Sequence, residues 1–156
     1  MNLQSPYNIV DVENSYRFET NFGAVYELTF LLYPTVNTNG DYLMYMFNIE
    51  VIKKGKPCKD DKIRITVEHV LSIFFRENVN AILIVMDSTD NKQNARQRLF
   101  DNWYKQSNYN HVEKYEAACE TNELQLLTML LLEKGNPFKS QIIEDYFDLV
   151  KINFYS

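Results

Sequence analysis

The run Ala81-Ile82-Leu83-Ile84-Val85-Met86, followed at once by Asp87-Ser88-Thr89-Asp90, decides how this chain folds. Six consecutive apolar side chains cannot alternate between core and solvent, so the run reads as a strand covered on both faces. It is far shorter than the roughly 20 residues that a membrane helix needs. Upstream, Asp60 and Asp61 suit a helix start, and Ile63, Val67, Val70, Leu71 and Phe74 form a helical apolar stripe that Asn78-Val79-Asn80 ends. Downstream, a second helix is expected from about Asn91 to Gln106. Two strands, His111–Thr121 and Leu124–Lys134, then turn at Asn122-Glu123. Gly135 precedes a last helix, with Asn136 as its cap and Pro137 at its first position. Its inner stripe is Ile142, Ile143, Tyr146, Leu149 and Val150.

The first third alternates at period two. Tyr16 to Thr20 leads into a turn at Asn21-Phe22-Gly23, and Ala24 to Tyr33 sets Tyr26, Leu28, Phe30 and Leu32 on one face. After a loop holding Asn39-Gly40, Tyr42 to Ile52 follows as a long strand. The order βββ-α-β-α-ββ-α predicts one α+β domain over residues 1–156. It consists of a mainly antiparallel sheet of about six strands packed with three helices. Residues 1–14 read as a flexible N-terminal segment.

At 156 residues, with 46% hydrophobic and 24% charged side chains, the chain has an ordinary globular composition. About 70% of its unfolded surface is expected to be buried on folding. The net charge of −5 disfavours nucleic acid as a partner of the whole surface. The N-terminus has neither a basic start nor an apolar stretch, and Cys58 and Cys119 stand alone, so the expected compartment is the cytoplasm with both thiols reduced. Gly23, Gly40, Gly55 and Gly135 sit singly at turns, so no closely spaced glycines exist to cradle a nucleotide phosphate. No G-x-S-x-G, H-E-x-x-H or C-x-x-C pattern occurs, so no metal, no cofactor and no nucleophile–base arrangement is expected. His69 and His111 read as boundary histidines, and Cys58, in a lysine-rich loop, as an incidental thiol.

One constellation competes with this plain reading. Asp87 to Trp103 joins the buried strand to the second helix, and such junctions gather polar groups at the positive end of a helix dipole. On a helical wheel Arg96 falls among Ala95, Leu99, Phe100 and Trp103, and a buried guanidinium needs a carboxylate or an anionic ligand. Asp87 and Arg96 therefore either tie strand to helix, with Asp90 as cap, or form with Asp90 a small anion or metal–phosphate site. Arg98 faces outward and pairs most simply with Asp101 or Asn102.

Two further features bear on partners. Lys53, Lys54, Lys56, Lys59, Lys62 and Arg64 gather six basic side chains within twelve positions, either as a solvated loop or as a basic patch for phosphate or nucleic acid. The strands also carry more large apolar side chains than one face needs. Val25, Leu31 and Tyr33 oppose Tyr26, Leu28, Phe30 and Leu32, so helices cover both faces or a second copy does.

The segment Asp87-Ser88-Thr89-Asp90, Gln93, Ala95-Arg96, Arg98-Leu99-Phe100 and Trp103, with Tyr16–Thr20 before it and Asn136-Pro137-Phe138 after it, resembles a family of small bacterial proteins of unknown function. The resemblance implies a bacterial cytoplasmic origin and a single domain, and it implies no chemistry. The leading expectation is a non-enzymatic module for protein interaction or self-association, with a homodimer as its simplest form. The alternatives are an enzyme or sensor taking a phosphorylated or carboxylated ligand at 87–96, and a weak nucleic-acid binder using 53–64.

Overall fold

A computed structural model describes residues 5–13, 15–33, 41–87, 98, 101, 102, 105, 111–120 and 125–154. Seven strands form one mixed sheet: β1 (Val10–Val12), β2 (Ser15–Glu19), β3 (Val25–Leu32), β4 (Leu43–Lys53), β5 (Asn80–Asp87), β6 (Val112–Glu120) and β7 (Gln125–Glu133). The two helices among the described residues are α1 (Asp61–Phe74) and α2 (Lys139–Phe154). The sheet order is β1-β2-β3-β4-β5-β7-β6. β4 and β5 pair in parallel, whereas β1/β2, β2/β3, β5/β7 and β6/β7 are antiparallel. The strand beyond the expected six is β1, which lies in the segment read as flexible. Of the expected helix 91–106, only Arg98, Asp101, Asn102 and Lys105 are described, and each is helical.

The chain forms two compact units, residues 1–31 with 47–76 and residues 32–46 with 77–156. In the first, α1 begins as its sequence dictates: Asp60 is extended, and its carboxylate accepts from the Lys62 backbone N–H. Val67 and Val70 are buried, and the ring of Phe74 stacks on Phe30 at 4.5 Å. The opposite face of these strands carries polar pairs. Arg17 pairs with Glu27 across β2 and β3, and the hydroxyls of Ser15 and Thr29 meet at 3.1 Å. Leu31, one of the surplus apolar residues read from β3, stands exposed on this face together with Val10 and Val12 of β1.

In the second unit Ala81 and Leu83 lie opposite Leu132 and Leu130 of β7. α2 sets Ile142, Tyr146 and Val150, one turn apart, against them together with Tyr42 and Met44. Ile82, Ile84 and Met129, of the other parity, are buried as well, which is the two-sided cover that the apolar run requires. Thr128 donates its hydroxyl to the Ala117 carbonyl, so the Tyr146 hydroxyl, 2.7 Å from Thr128 Oγ1, is the donor of that pair. Asn136 accepts from the Phe138 N–H at 2.8 Å, and the regular helix starts at Lys139.

Tyr42 donates to Asp145, and burial first, then that hydrogen bond and the carboxylate charge, push its phenol well above the ordinary value. The folded state thus holds a proton that the unfolded chain releases near pH 10. Stability is intact below about pH 10 and falls above it, by up to about 1.4 kcal/mol per pH unit for one such group. Denaturant unfolding between pH 9 and 11 is expected to show this fall, with a shallower slope for Tyr42→Phe; equal slopes would contradict it.

Candidate functional site

The site grows from two short backbone segments of the first unit. In the β2–β3 turn, Gly23 adopts φ +84°, a conformation that suits glycine, and its N–H donates to the Thr20 carbonyl. The Thr20 hydroxyl accepts from the N–H groups of Phe22 and Ala24 at 3.2 and 3.1 Å and fixes the turn. The loop after β4 lies directly on it. A Cβ on Gly55 would stand 2.4 Å from the Phe22 carbonyl oxygen and 2.5 Å from the Ala24 nitrogen. Only a residue without a side chain allows this approach, and the Lys56 N–H seals it with a 2.9 Å bond to the Phe22 carbonyl.

The clamped loop bounds a cavity of about 310 Å³, at the small end of the roughly 300–1,000 Å³ typical of small-molecule sites. Its apolar lining comes from Phe22, Ala24, Tyr26, Val51, Pro57 and Ile63, and its polar lining from Lys54, Lys56, Cys58, Asp60 and Thr20. Cys58 is exposed.

Asp60 joins the cavity to the N-terminal segment. One oxygen caps α1 at Lys62, and the other accepts the Tyr7 hydroxyl at 2.6 Å. Tyr7 is buried, takes the Asn21 N–H on its oxygen, and donates its own N–H to Thr66. Its ring stacks on Phe18, which stacks in turn on Tyr26 of the lining, with centroids 5.8 and 5.3 Å apart. Burial raises the pKa of both phenols; the bond to Asp60 adds to this at Tyr7, and the negative charge of Asp60 adds at Tyr26. Both therefore remain protonated at neutral pH. Asp60→Ala is expected to cost about 2 kcal/mol by losing the cap and orphaning the Tyr7 hydroxyl. Asp60→Asn is expected to lose about half as much, and a loss of under about 0.5 kcal/mol for the alanine variant would contradict this role.

The structure divides the basic residues that the sequence grouped. Lys54 and Lys56 line the cavity, and Lys53 and Lys59 are exposed beside it. The Lys62 ammonium instead sits 4.5 Å from the centre of the Tyr7 ring, and Arg64 pairs with Glu68 at 2.8 Å, one turn along α1. Asp87 ends β5 with its backbone paired to Leu126, whereas Asp90 and Arg96 lie outside the described residues. Asp101 does not serve Arg98; it pairs with Lys114 of β6, because an ammonium on the neighbouring strand reaches it. His69 and His111 are exposed and neither lines the cavity. Among the described residues no group of three or more His, Cys, Asp or Glu side chains is placed to hold a metal. No described helix is long and apolar enough to cross a membrane.

Sequence reasoning missed Tyr7, Thr20 and the role of Gly55. The one local signal was an isolated glycine inside a lysine-rich loop.

The model of a family of unknown function, DUF6169, matches residues 59–148. No curated protein matches the chain. Among solved structures, a CoA-dependent acyl-homoserine lactone synthase, MesI, aligns with a TM-score of 0.41 at 9% identity, over 87% of this chain and 71% of its own.

Proposed function

The chain belongs to the DUF6169 family of unknown function, a membership that carries no activity, and from the geometry we propose that it is a non-enzymatic binding module whose ligand seat is the cavity under Lys54–Asp60. The observation that carries this reading is the Gly55 clamp, which holds a loop against the β2–β3 turn and keeps an apolar hollow open. The lining supports binding over catalysis. Its one carboxylate, on Asp60, has each oxygen engaged within the protein, and Cys58 has no histidine beside it in the lining.

A thermal-shift screen of small organic fragments tests the reading, with Ala24→Leu as the variant that fills the hollow. A fragment at 100 times its Kd adds about 2.7 kcal/mol, or roughly 5–10 °C for a chain of this size. Fragments are expected to stabilise the natural protein and to lose that effect in Ala24→Leu. Equal shifts in both proteins would overturn the reading.

Self-association is the second reading. Val10 and Val12, 60% and 45% exposed, lie on β1 at the open edge of the sheet, where a second copy can add a strand. Light scattering at high concentration decides it: a mass above 18.5 kDa that Val12→Lys returns to 18.5 kDa supports it, and 18.5 kDa throughout removes it.

A further inference from the structure

We infer that the cavity takes a small organic anion with an aromatic body, its charged end held by Lys54 and Lys56; the inference rests on the reading of the cavity as a ligand seat. Phe22, Tyr26 and Val51 give the lining its apolar character, and Phe22 and Val51 are 41% and 48% exposed. Large apolar surface left in contact with water at a concave site is surface that a ligand gains by covering. The aromatic rings of Phe22 and Tyr26 in the lining favour an aromatic partner.

The charge of the occupant follows from what borders the hollow. Lys54 and Lys56 flank Gly55, whose backbone is pinned to the β2–β3 turn, so both lysines start from fixed positions while their ammonium ends remain adjustable. A cation would need a carboxylate turned toward the hollow. Asp60 instead gives one oxygen to the Lys62 N–H and the other to the Tyr7 hydroxyl. Two of the N–H groups that open α1 are also engaged: Lys62 with the Asp60 side chain and Ile63 with the Asp60 carbonyl. The charged side chains free to meet the head are therefore the two ammonium groups of Lys54 and Lys56. At about 310 Å³ the hollow suits a single-ring acid and is small for a nucleotide. A carboxylate and a phosphate head share this chemistry.

Calorimetric titration of the full chain with four probes tests the inference: 3-phenylpropanoate, phenyl phosphate, the neutral 3-phenylpropan-1-ol, and inorganic phosphate. At least one aromatic anion is expected to bind about tenfold or more tighter than the alcohol and than inorganic phosphate. The double variant Lys54→Gln, Lys56→Gln is expected to weaken that anion about tenfold and to leave the alcohol unchanged. The tighter of the two aromatic anions identifies the preferred head. An alcohol that matches both anions, inorganic phosphate that matches phenyl phosphate, a double variant with natural affinity, or no binding by either aromatic anion overturns the inference. If the alcohol binds the natural protein but not Ala24→Leu, the seat stands and only its anionic specificity falls.

Discussion

Replacing Gly55 with alanine is expected to lower the stability of the first unit by about 3 kcal/mol, because the new methyl group has nowhere to go. The atoms it would meet, the Phe22 carbonyl oxygen at 2.4 Å and the Ala24 nitrogen at 2.5 Å, are backbone, so no side chain can swing away to relieve the contact. Either the loop lifts and the Lys56–Phe22 hydrogen bond breaks, or the turn fixed by the Thr20 hydroxyl distorts. Both outcomes disturb the cavity wall as well as costing stability. Gly135 is the internal control: a Cβ there meets nothing within 4 Å, so Gly135→Ala is expected to be neutral or stabilising by under about 1 kcal/mol. Urea unfolding of the two variants side by side measures the difference. Equal stabilities would show that the loop does not rest on the turn.

Phe18→Ala is expected to cost about 3–5 kcal/mol, the usual range for removing a buried aromatic ring. Phe18 is 2% exposed and stands between two rings, Tyr7 on one side and Tyr26 on the other, each nearly parallel to it. Truncation leaves a void between them and removes two ring contacts, each worth roughly 0.5–1.5 kcal/mol beyond burial. The damage reaches the site, since Tyr26 lines the cavity and Tyr7 holds Asp60. Phe18→Leu keeps much of the volume and is expected to lose about half as much. An alanine variant within about 1 kcal/mol of the natural protein would show that this column of rings holds neither the N-terminal segment nor the cavity wall.

Much of the architecture was legible because hydrophobic period fixes element type. The unbroken run at 81–86 demanded cover on two faces, and Ile82 and Ile84 are buried alongside Ala81 and Leu83. The α1 start at Asp60-Asp61 was also readable, since a cap is a local event, whereas Pro137, expected at the first position of the last helix, lies in the turn before Lys139. β1 escaped because it has three residues, and its turn is made by Glu13 at φ +54° where glycine or asparagine would have been the signal. The order β5-β7-β6 was not legible, because sequence spacing does not say which strand of a hairpin turns inward.

The lysine cluster lies on the loop that borders the cavity, and grouping Lys62 and Arg64 with it, as loop or as patch, leaves out two local pairings. Arg64 and Glu68 are four apart on a helix, and Lys62 lies two residues beyond a cap. That Lys54 and Lys56 border a hollow depends on Gly55 meeting Phe22 and Ala24, a contact between segments distant in sequence that no periodicity encodes. The junction at 87–96 drew attention through its composition, and Asp90 and Arg96 lie outside the described residues.

The account turns on the cavity under the clamped loop being where the protein binds. Methyl-detected NMR of the full chain, titrated with 3-phenylpropanoate, tests this directly. The account predicts the largest shift changes at the methyl groups of Ala24, Val51 and Ile63, which line the cavity, and none at Val10, Val67 or Val150, which do not. Changes that cluster at Val10 and Val12, or that leave the three lining residues unmoved while others shift, would contradict it.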